Sequence, residues 1–199
     1  ACCSASSKRR SIAAHEANLR LNDSGQYQPK MMRLFVSQNL PFAPIAKAWA
    51  NKSRTLEPQD DGEALRQIDV MLAKVLSNRQ PPYGITGGLY DALAASDGDV
   101  IAVDNRQLLS AQELFFEKEG CDICPEAGVA LASLMSKLDE GALRHSDIVM
   151  LNITGGGLER LARDYTLIPA NTDLIIPRDE IGTAAAADKV QSLFRREAI

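Results

Sequence analysis

A glycine-rich turn lies between an apolar run and a predicted helix late in the chain. Residues 147–153 are typical of a strand, Thr154-Gly155-Gly156-Gly157 follow, and the next residues are predicted to be helical through Arg163. In open parallel sheets, ligands bind beyond the carboxyl ends of strands, where glycines allow close approach and a helix N-terminus favours an anion or an acceptor. The pattern indicates either a ligand site or a strand-to-helix turn without a ligand. A dinucleotide fingerprint fits less well, because its third small residue would fall at Arg160.

Two further segments carry turn residues and groups that could react. Residues 119–128 contain Cys121-Asp122-Ile123-Cys124, a C-x-x-C pattern that opens a predicted helix. A zinc site usually needs a second such pair, so we interpret these cysteines as reduced thiols and the segment as ordinary helix capping. Tyr83-Gly84, followed by Gly87-Gly88, is most simply a turn.

The elements that must position these segments alternate between strand and helix. Short apolar runs predict strands at residues 33–37, 100–103, 147–153 and 173–176. Apolar periodicity and capping residues predict helices at 11–21, 41–50, 61–78, 87–95, 125–138 and 184–196, and one from Asp104 to Gly120. Such alternation predicts α/β layering with a largely parallel sheet.

Composition excludes several classes of function. The 199 residues are 45% hydrophobic and 24% charged, with a net charge of −4. Since no basic stripe follows any predicted helix, we expect no nucleic-acid partner. No apolar run approaches the roughly 20 residues that a membrane span needs, and residues 1–11 do not resemble a secretory signal. Together with reduced thiols, these features predict a cytoplasmic protein without a membrane partner.

Several stretches, taken in order, carry a resemblance to a known family. They are residues 12–17, 34–45, 83–93, 119–131 and Asn152-Ile153-Thr154-Gly155-Gly156-Gly157. The set resembles the C-terminal half of fold-type II enzymes that use pyridoxal 5′-phosphate (PLP), nearest to cysteate synthase and then to threonine synthase. The resemblance implies an α/β fold, with a three-layer, mostly parallel sheet flanked by helices. Residues 12–199 would form the C-terminal part of the PLP-binding large domain, after a divergent segment at 1–11.

The resemblance also implies roles for individual residues. Thr154 matches a hydroxyl residue that hydrogen-bonds the pyridine nitrogen of PLP, and Gly155 and Gly156 would let the backbone pass close to the ring. Tyr83 and Gly84 match a loop near the cofactor face. A neutral hydroxyl favours a protonated ring nitrogen less than a carboxylate does, which suits elimination of a phosphate leaving group.

The chain departs from the family at its start. The family's Schiff-base lysine precedes the region that matches, so no catalytic residue is assigned here. Residues 1–11 contain no glycine, although the family has a glycine-rich phosphate loop before the helix that begins near Ile12. A reading-frame break upstream is our hypothesis for this pattern.

The preferred function is replacement of the phosphate of O-phospho-L-serine by sulfite, giving L-cysteate. Partners would be that phosphorylated amino acid, sulfite and, in the full-length form, a second copy in a homodimer. A threonine synthase-like reaction on O-phosphohomoserine is one alternative. A catalytically inactive fragment is the other, because the isolated chain lacks the lysine.

Overall fold

The computed structural model describes residues 2–4, 8–27, 29–144 and 146–196. It divides the chain into two compact units, Ala1–Leu161 and Ala162–Ile199. The divergent segment expected at 1–11 falls partly outside the described residues, and its boundary stays a prediction.

The first unit contains a four-stranded sheet in the order β3-β2-β1-β4. Its strands are β1 (Cys2–Ser4), β2 (Leu34–Asn39), β3 (Asp99–Val103) and β4 (Met150–Leu151). All neighbouring pairs are parallel, with Phe35 opposite Asp99 and Cys2 opposite both Leu34 and Met150. The predicted parallel α/β sheet is therefore confirmed, although β4 is much shorter than expected and β1 had no counterpart in the sequence prediction.

Helices cover both faces of this sheet. They are α1 (Lys8–Asp23), α2 (Pro44–Ala50), α3 (Asp61–Val70), α4 (Leu89–Ala95), α5 (Asn105–Glu119) and α6 (Pro125–Asp139). Alternate residues of β2 point to opposite faces, as strand geometry requires. Leu34 and Val36 pack in one buried cluster with α2 and α4, whereas Phe35 packs in another with α3, α5 and α6. The expected three layers of helix, sheet and helix are thus present.

Helix α5 begins and ends where its sequence predicts. Asp104 accepts a hydrogen bond from the Gln107 N–H (2.8 Å), and the Gln107 side chain accepts one from the Asp104 N–H (2.9 Å). This reciprocal capping box satisfies two N–H groups at the helix start. Gly120 ends the helix in the left-handed conformation, with φ 68°.

Helix α3 ends at Val70 rather than near residue 78, because tertiary contacts replace its last turns. The Asn105 side chain donates to the Val70 carbonyl (2.8 Å) and accepts from the Leu72 N–H (3.2 Å). Asn39 accepts from the Ala73 N–H (3.1 Å). Val75, expected in the apolar stripe, is consequently 82% exposed. A single 3₁₀ turn, Lys74–Leu76, follows.

Two more α-helices follow in the described chain, with a 3₁₀ turn, Arg178–Glu180, between them. Helix α7 (Leu158–Asp164) follows the glycine turn, and α8 (Ala184–Arg196) confirms the helix predicted at 184–196. The strand predicted at 173–176 is wrong: that segment has no strand partner among the described residues, and Ile175 is 79% exposed. No described helix is both long enough and apolar enough to cross a bilayer.

Candidate functional site

The carboxyl ends of the four parallel strands share one edge of the sheet. Thr154 lies three residues beyond the end of β4 at this edge, and its side chain is exposed. Asn39 ends β2 at the same edge but is fully buried. Thr154 is therefore an exposed residue beyond the carboxyl end of a parallel strand, the region where ligands of open parallel sheets bind. Residues 5–7 lie outside the described residues.

The turn after Thr154 packs against the segment that precedes α6. The Cys124 N–H donates to the Gly155 carbonyl (3.0 Å), and the Gly157 N–H donates to the Asp122 carbonyl (2.8 Å). Between them, Ile123 and Gly156 form an antiparallel bridge. A Cβ atom on residue 156 would overlap the Asp122 carbonyl, so this close approach requires glycine there whether or not a ligand binds.

The N-terminus of α7 is already occupied by a carboxylate of the protein itself. Asp122 accepts hydrogen bonds from the N–H groups of Leu158 (2.9 Å) and Glu159 (3.2 Å). The anion that the sequence pattern favours at this helix start is therefore supplied by Asp122. Sequence reasoning gave Asp122 no role, since 36 residues separate it from Leu158 and no local pattern links them.

The two cysteines of the C-x-x-C segment are free thiols and partly buried. Burial raises the pKa of the Cys124 thiol. The Cys124 sulfur would lie 3.1 Å from a Cβ atom on residue 155, which places the thiol directly beside the glycine turn. Among the residues that the structure covers, no group of three or more His, Cys, Asp or Glu side chains could hold a metal ion.

Tyr83 and Gly84 contact another part of the chain. Tyr83 is 1% exposed and packs in the buried cluster with Leu89 and Leu93. Its hydroxyl donates to the Ser53 carbonyl (2.9 Å), and burial raises the pKa of Tyr83 to about 12. Gly84 lies against the main chain of Arg54. The structure thus gathers Thr154 to Gly157 with residues 122–124, and Tyr83 and Gly84 with residues 53–54.

Comparison with known proteins identifies the relatives of this chain. A cysteate synthase from Methanocella paludicola is 48% identical over 157 residues, which is 78% of this chain and 36% of that protein. One from Methanosarcina mazei is 42% identical over 171 residues, or 85% of this chain and 41% of that protein. The resemblance to cysteate synthases is confirmed.

The cysteate synthase relatives are longer than this chain, which spans well under half the length of either one. No protein-family model matches the chain. Among solved structures, maize serine racemase matches with a TM-score of 0.42 and 17% identity, covering 76% of this chain and 42% of that one.

Proposed function

We propose that this chain contributes the C-terminal part of the large domain of a PLP-dependent enzyme that converts O-phospho-L-serine and sulfite to L-cysteate. The observation that carries the proposal is the 48% identity to a cysteate synthase over 157 residues. In this reaction a bond forms between the sulfite sulfur and the β-carbon, the bond from the β-carbon to the phosphate oxygen breaks, and inorganic phosphate leaves.

Thr154 fits the role of partner to the ring nitrogen of PLP. The residue is exposed, three residues beyond the carboxyl end of β4, and its hydroxyl can donate or accept a hydrogen bond. Because the hydroxyl carries no charge, it favours ring protonation less than a carboxylate would. PLP, when bound, would supply an electron-withdrawing ring that stabilises negative charge at the substrate α-carbon. Gly155 and Gly156 follow Thr154 in a turn held by residues 122–124.

The lysine that holds the cofactor covalently would come from polypeptide outside this chain. Lys137 is engaged by Asp99 (2.8 Å) and Glu140 (2.7 Å), and Asp99 begins β3 at the amino edge of the sheet. Lys47 pairs with Glu57 at 2.5 Å. The isolated chain is expected to be inactive because the family's Schiff-base lysine precedes the region that matches, whereas the chain joined to a lysine-bearing N-terminal part would be active.

A fusion enzyme tests this function. The N-terminal part of the Methanocella paludicola cysteate synthase, up to the start of its match with this chain, is joined to residues 12–199. With PLP present, we expect release of phosphate from O-phosphoserine and formation of cysteate that depends on sulfite, measured by phosphate assay and mass spectrometry. Consumption of O-phosphohomoserine without sulfite would instead favour the threonine synthase-like alternative. A folded, PLP-loaded fusion that turns over neither substrate would contradict both proposals.

The residue assignment is tested separately in the same fusion. Thr154→Val removes the hydroxyl while keeping the shape, and Thr154→Ser keeps the hydroxyl. We expect Val to lower kcat/KM by about tenfold or more, the effect of one hydrogen bond at a reacting centre, and Ser to retain most of the activity. Equal kcat/KM values for Thr154→Val and the wild type would contradict the assignment of Thr154 to the cofactor site. Assembly of the fusion as a homodimer also stays a prediction, to be checked by sedimentation.

A further inference from the structure

We infer that Asp122 is a positioning residue: it holds the turn that carries Thr154 in the orientation that the cofactor ring would meet. The inference rests on the proposed function for the role of Thr154. The contacts that Asp122 makes do not depend on that function.

Asp122 accepts hydrogen bonds from three consecutive backbone N–H groups. Its carbonyl accepts from Gly157 at 2.8 Å, and its carboxylate oxygens accept from Leu158 at 2.9 Å and Glu159 at 3.2 Å. The first N–H groups of a helix have no partner within the helix, and here Asp122 supplies acceptors for them. A negative charge at this position also interacts favourably with the helix dipole. One residue thus fixes both the end of the glycine turn and the start of α7.

The other side of the turn is held by the two residues that follow Asp122. The Cys124 N–H donates to the Gly155 carbonyl at 3.0 Å, and Gly156 bridges Ile123. Every residue from 155 to 159 is therefore bound to the segment 122–124. Because Thr154 directly precedes these residues, the direction of its hydroxyl depends on that segment.

The segment itself is anchored in the body of the sheet and its helices. Ile123 is 4% exposed, and its carbonyl accepts a hydrogen bond from the Gln112 side chain of α5 at 2.6 Å. Packing and hydrogen bonds of this kind hold a loop in one conformation, which a loop attached only through its ends would lack. A continuous series of contacts therefore joins α5 to Ile123, and residues 122–124 to the glycine turn that follows Thr154.

Amide exchange in the full 199-residue chain tests the contact directly. In Asp122→Ala, we expect exchange at Leu158 and Glu159 to be faster by about tenfold or more, because a charge-assisted hydrogen bond contributes about 1.5 kcal/mol or more. Asp122→Asn keeps one acceptor and should give an intermediate value. The control is Asp147→Ala, which removes an aspartate that accepts from the Arg144 N–H at 2.9 Å in another turn. Unchanged exchange at 157–159 in both Asp122 variants would overturn the inference.

Binding of a cofactor analogue tests the functional part. Pyridoxine 5′-phosphate has the pyridine ring and phosphate but no aldehyde, so it cannot react with lysines. In the fusion enzyme we expect it to shift the Thr154 methyl resonance, with affinity about tenfold lower in Asp122→Ala and partly restored in Asp122→Asn. Unchanged affinity in Asp122→Ala, with the loop opened, would overturn the positioning role. No shift of Thr154 in the fusion enzyme with the unchanged residues 12–199 would instead contradict the proposed function, while amide exchange still decides whether Asp122 holds the turn.

A second variant provides an independent test in case Asp122→Ala does not fold. Gly156→Ala places a methyl group against the Asp122 carbonyl and so disturbs the same contact from the other side. We expect the same pattern of faster exchange at residues 157–159. If Gly156→Ala folds and leaves these amides as protected as in the wild type, the inference fails.

Discussion

The main-chain carbonyl of Arg54 occupies the space that a Cβ atom on Gly84 would need. The Arg54 guanidinium pairs with Asp91 and lies 4.7 Å from the centre of the Tyr90 ring. Asp91 in turn accepts a hydrogen bond from the Gly87 N–H at 2.8 Å. Arg54 therefore ties the turn at residues 83–88 and the start of α4 to the segment before α3, and this packing alone requires glycine at position 84.

Gly84→Ala should lower the free energy of unfolding. The added methyl group meets backbone rather than a flexible side chain, so the main chain must shift, at a cost of about 2 kcal/mol or more. Ile85→Ala is the matched control, because Ile85 is 62% exposed and its loss should change stability by about 0.5 kcal/mol or less. Urea unfolding of both variants measures the difference. Wild-type stability in Gly84→Ala would show that the two segments do not approach so closely.

Tyr83 should make stability depend on alkaline pH. Burial raises its pKa from 10.0 to about 12, so between these values the unfolded chain loses a proton that the folded chain keeps. The folded state then binds more protons, and the free energy of unfolding falls as pH rises from about 10 towards 12. Tyr83→Phe removes this contribution and should flatten that part of the stability curve.

The same variant has a second effect at neutral pH. Tyr83→Phe leaves the Ser53 carbonyl without its 2.9 Å donor, which should cost about 1 kcal/mol. Tyr27→Phe serves as control, since Tyr27 is 63% exposed. Parallel pH profiles for Tyr83→Phe and Tyr27→Phe would contradict the assignment of the alkaline loss to Tyr83.

Local patterns predicted the elements whose signals lie within a few residues. The apolar run of β3, and Asp104 with Gln107 at the start of α5, needed no knowledge of distant contacts. In contrast, β1 has only three residues, Cys2–Ser4, which show no strand pattern by themselves and pair with β2 and β4 on either side. The early end of α3 likewise depends on Asn39 and Asn105, which lie more than 30 residues away along the chain.

The sequence likewise predicted only part of the candidate site. A strand followed by Thr154 and three glycines is visible in the sequence, and the structure leaves Thr154 exposed at the carboxyl edge. The hydrogen bonds from Leu158 and Glu159 to Asp122 are not visible there, because a C-x-x-C segment suggests roles for its cysteines rather than for the aspartate between them. The cofactor roles of Tyr83, Gly84, Thr154, Gly155 and Gly156 stay predictions.

Asn39 should be among the most sensitive polar residues of the chain. It is fully buried, its amide donates to the Val103 carbonyl (3.1 Å), and its oxygen accepts from the Ala73 N–H (3.1 Å). Asn39→Ala leaves the Ala73 N–H without its acceptor, whereas the Val103 carbonyl keeps the Leu40 N–H as a donor (2.8 Å), so we expect a loss of about 1–3 kcal/mol. Asn171→Ala is the control, because Asn171 is exposed. Thermal or urea unfolding measures both variants. If Asn39→Ala lowers the free energy of unfolding no more than Asn171→Ala does, the role of Asn39 in joining β2, β3 and the segment after α3 is contradicted.

The lysines of the isolated chain should not form a specific adduct with PLP. An amine must lose its proton before it attacks an aldehyde, so a lysine with a raised pKa is a poor nucleophile at neutral pH. Burial lowers the pKa of Lys137, but hydrogen bonds to Asp99 and Glu140 outweigh burial and raise it overall. Lys47 is paired with Glu57, and Lys189 with Glu180.

Borohydride reduction after addition of PLP, followed by peptide mass spectrometry, measures this directly. We expect partial labelling spread over several exposed lysines and no single site modified in every molecule. The fusion enzyme should instead carry one stoichiometric label on a lysine of its N-terminal part, which confirms that the assay detects a true cofactor lysine. Lys137→Arg should leave the labelling of the isolated chain unchanged. A stoichiometric adduct on one lysine of the isolated chain would show that the chain holds PLP by itself. It would contradict the proposal that the cofactor lysine comes from polypeptide outside this chain.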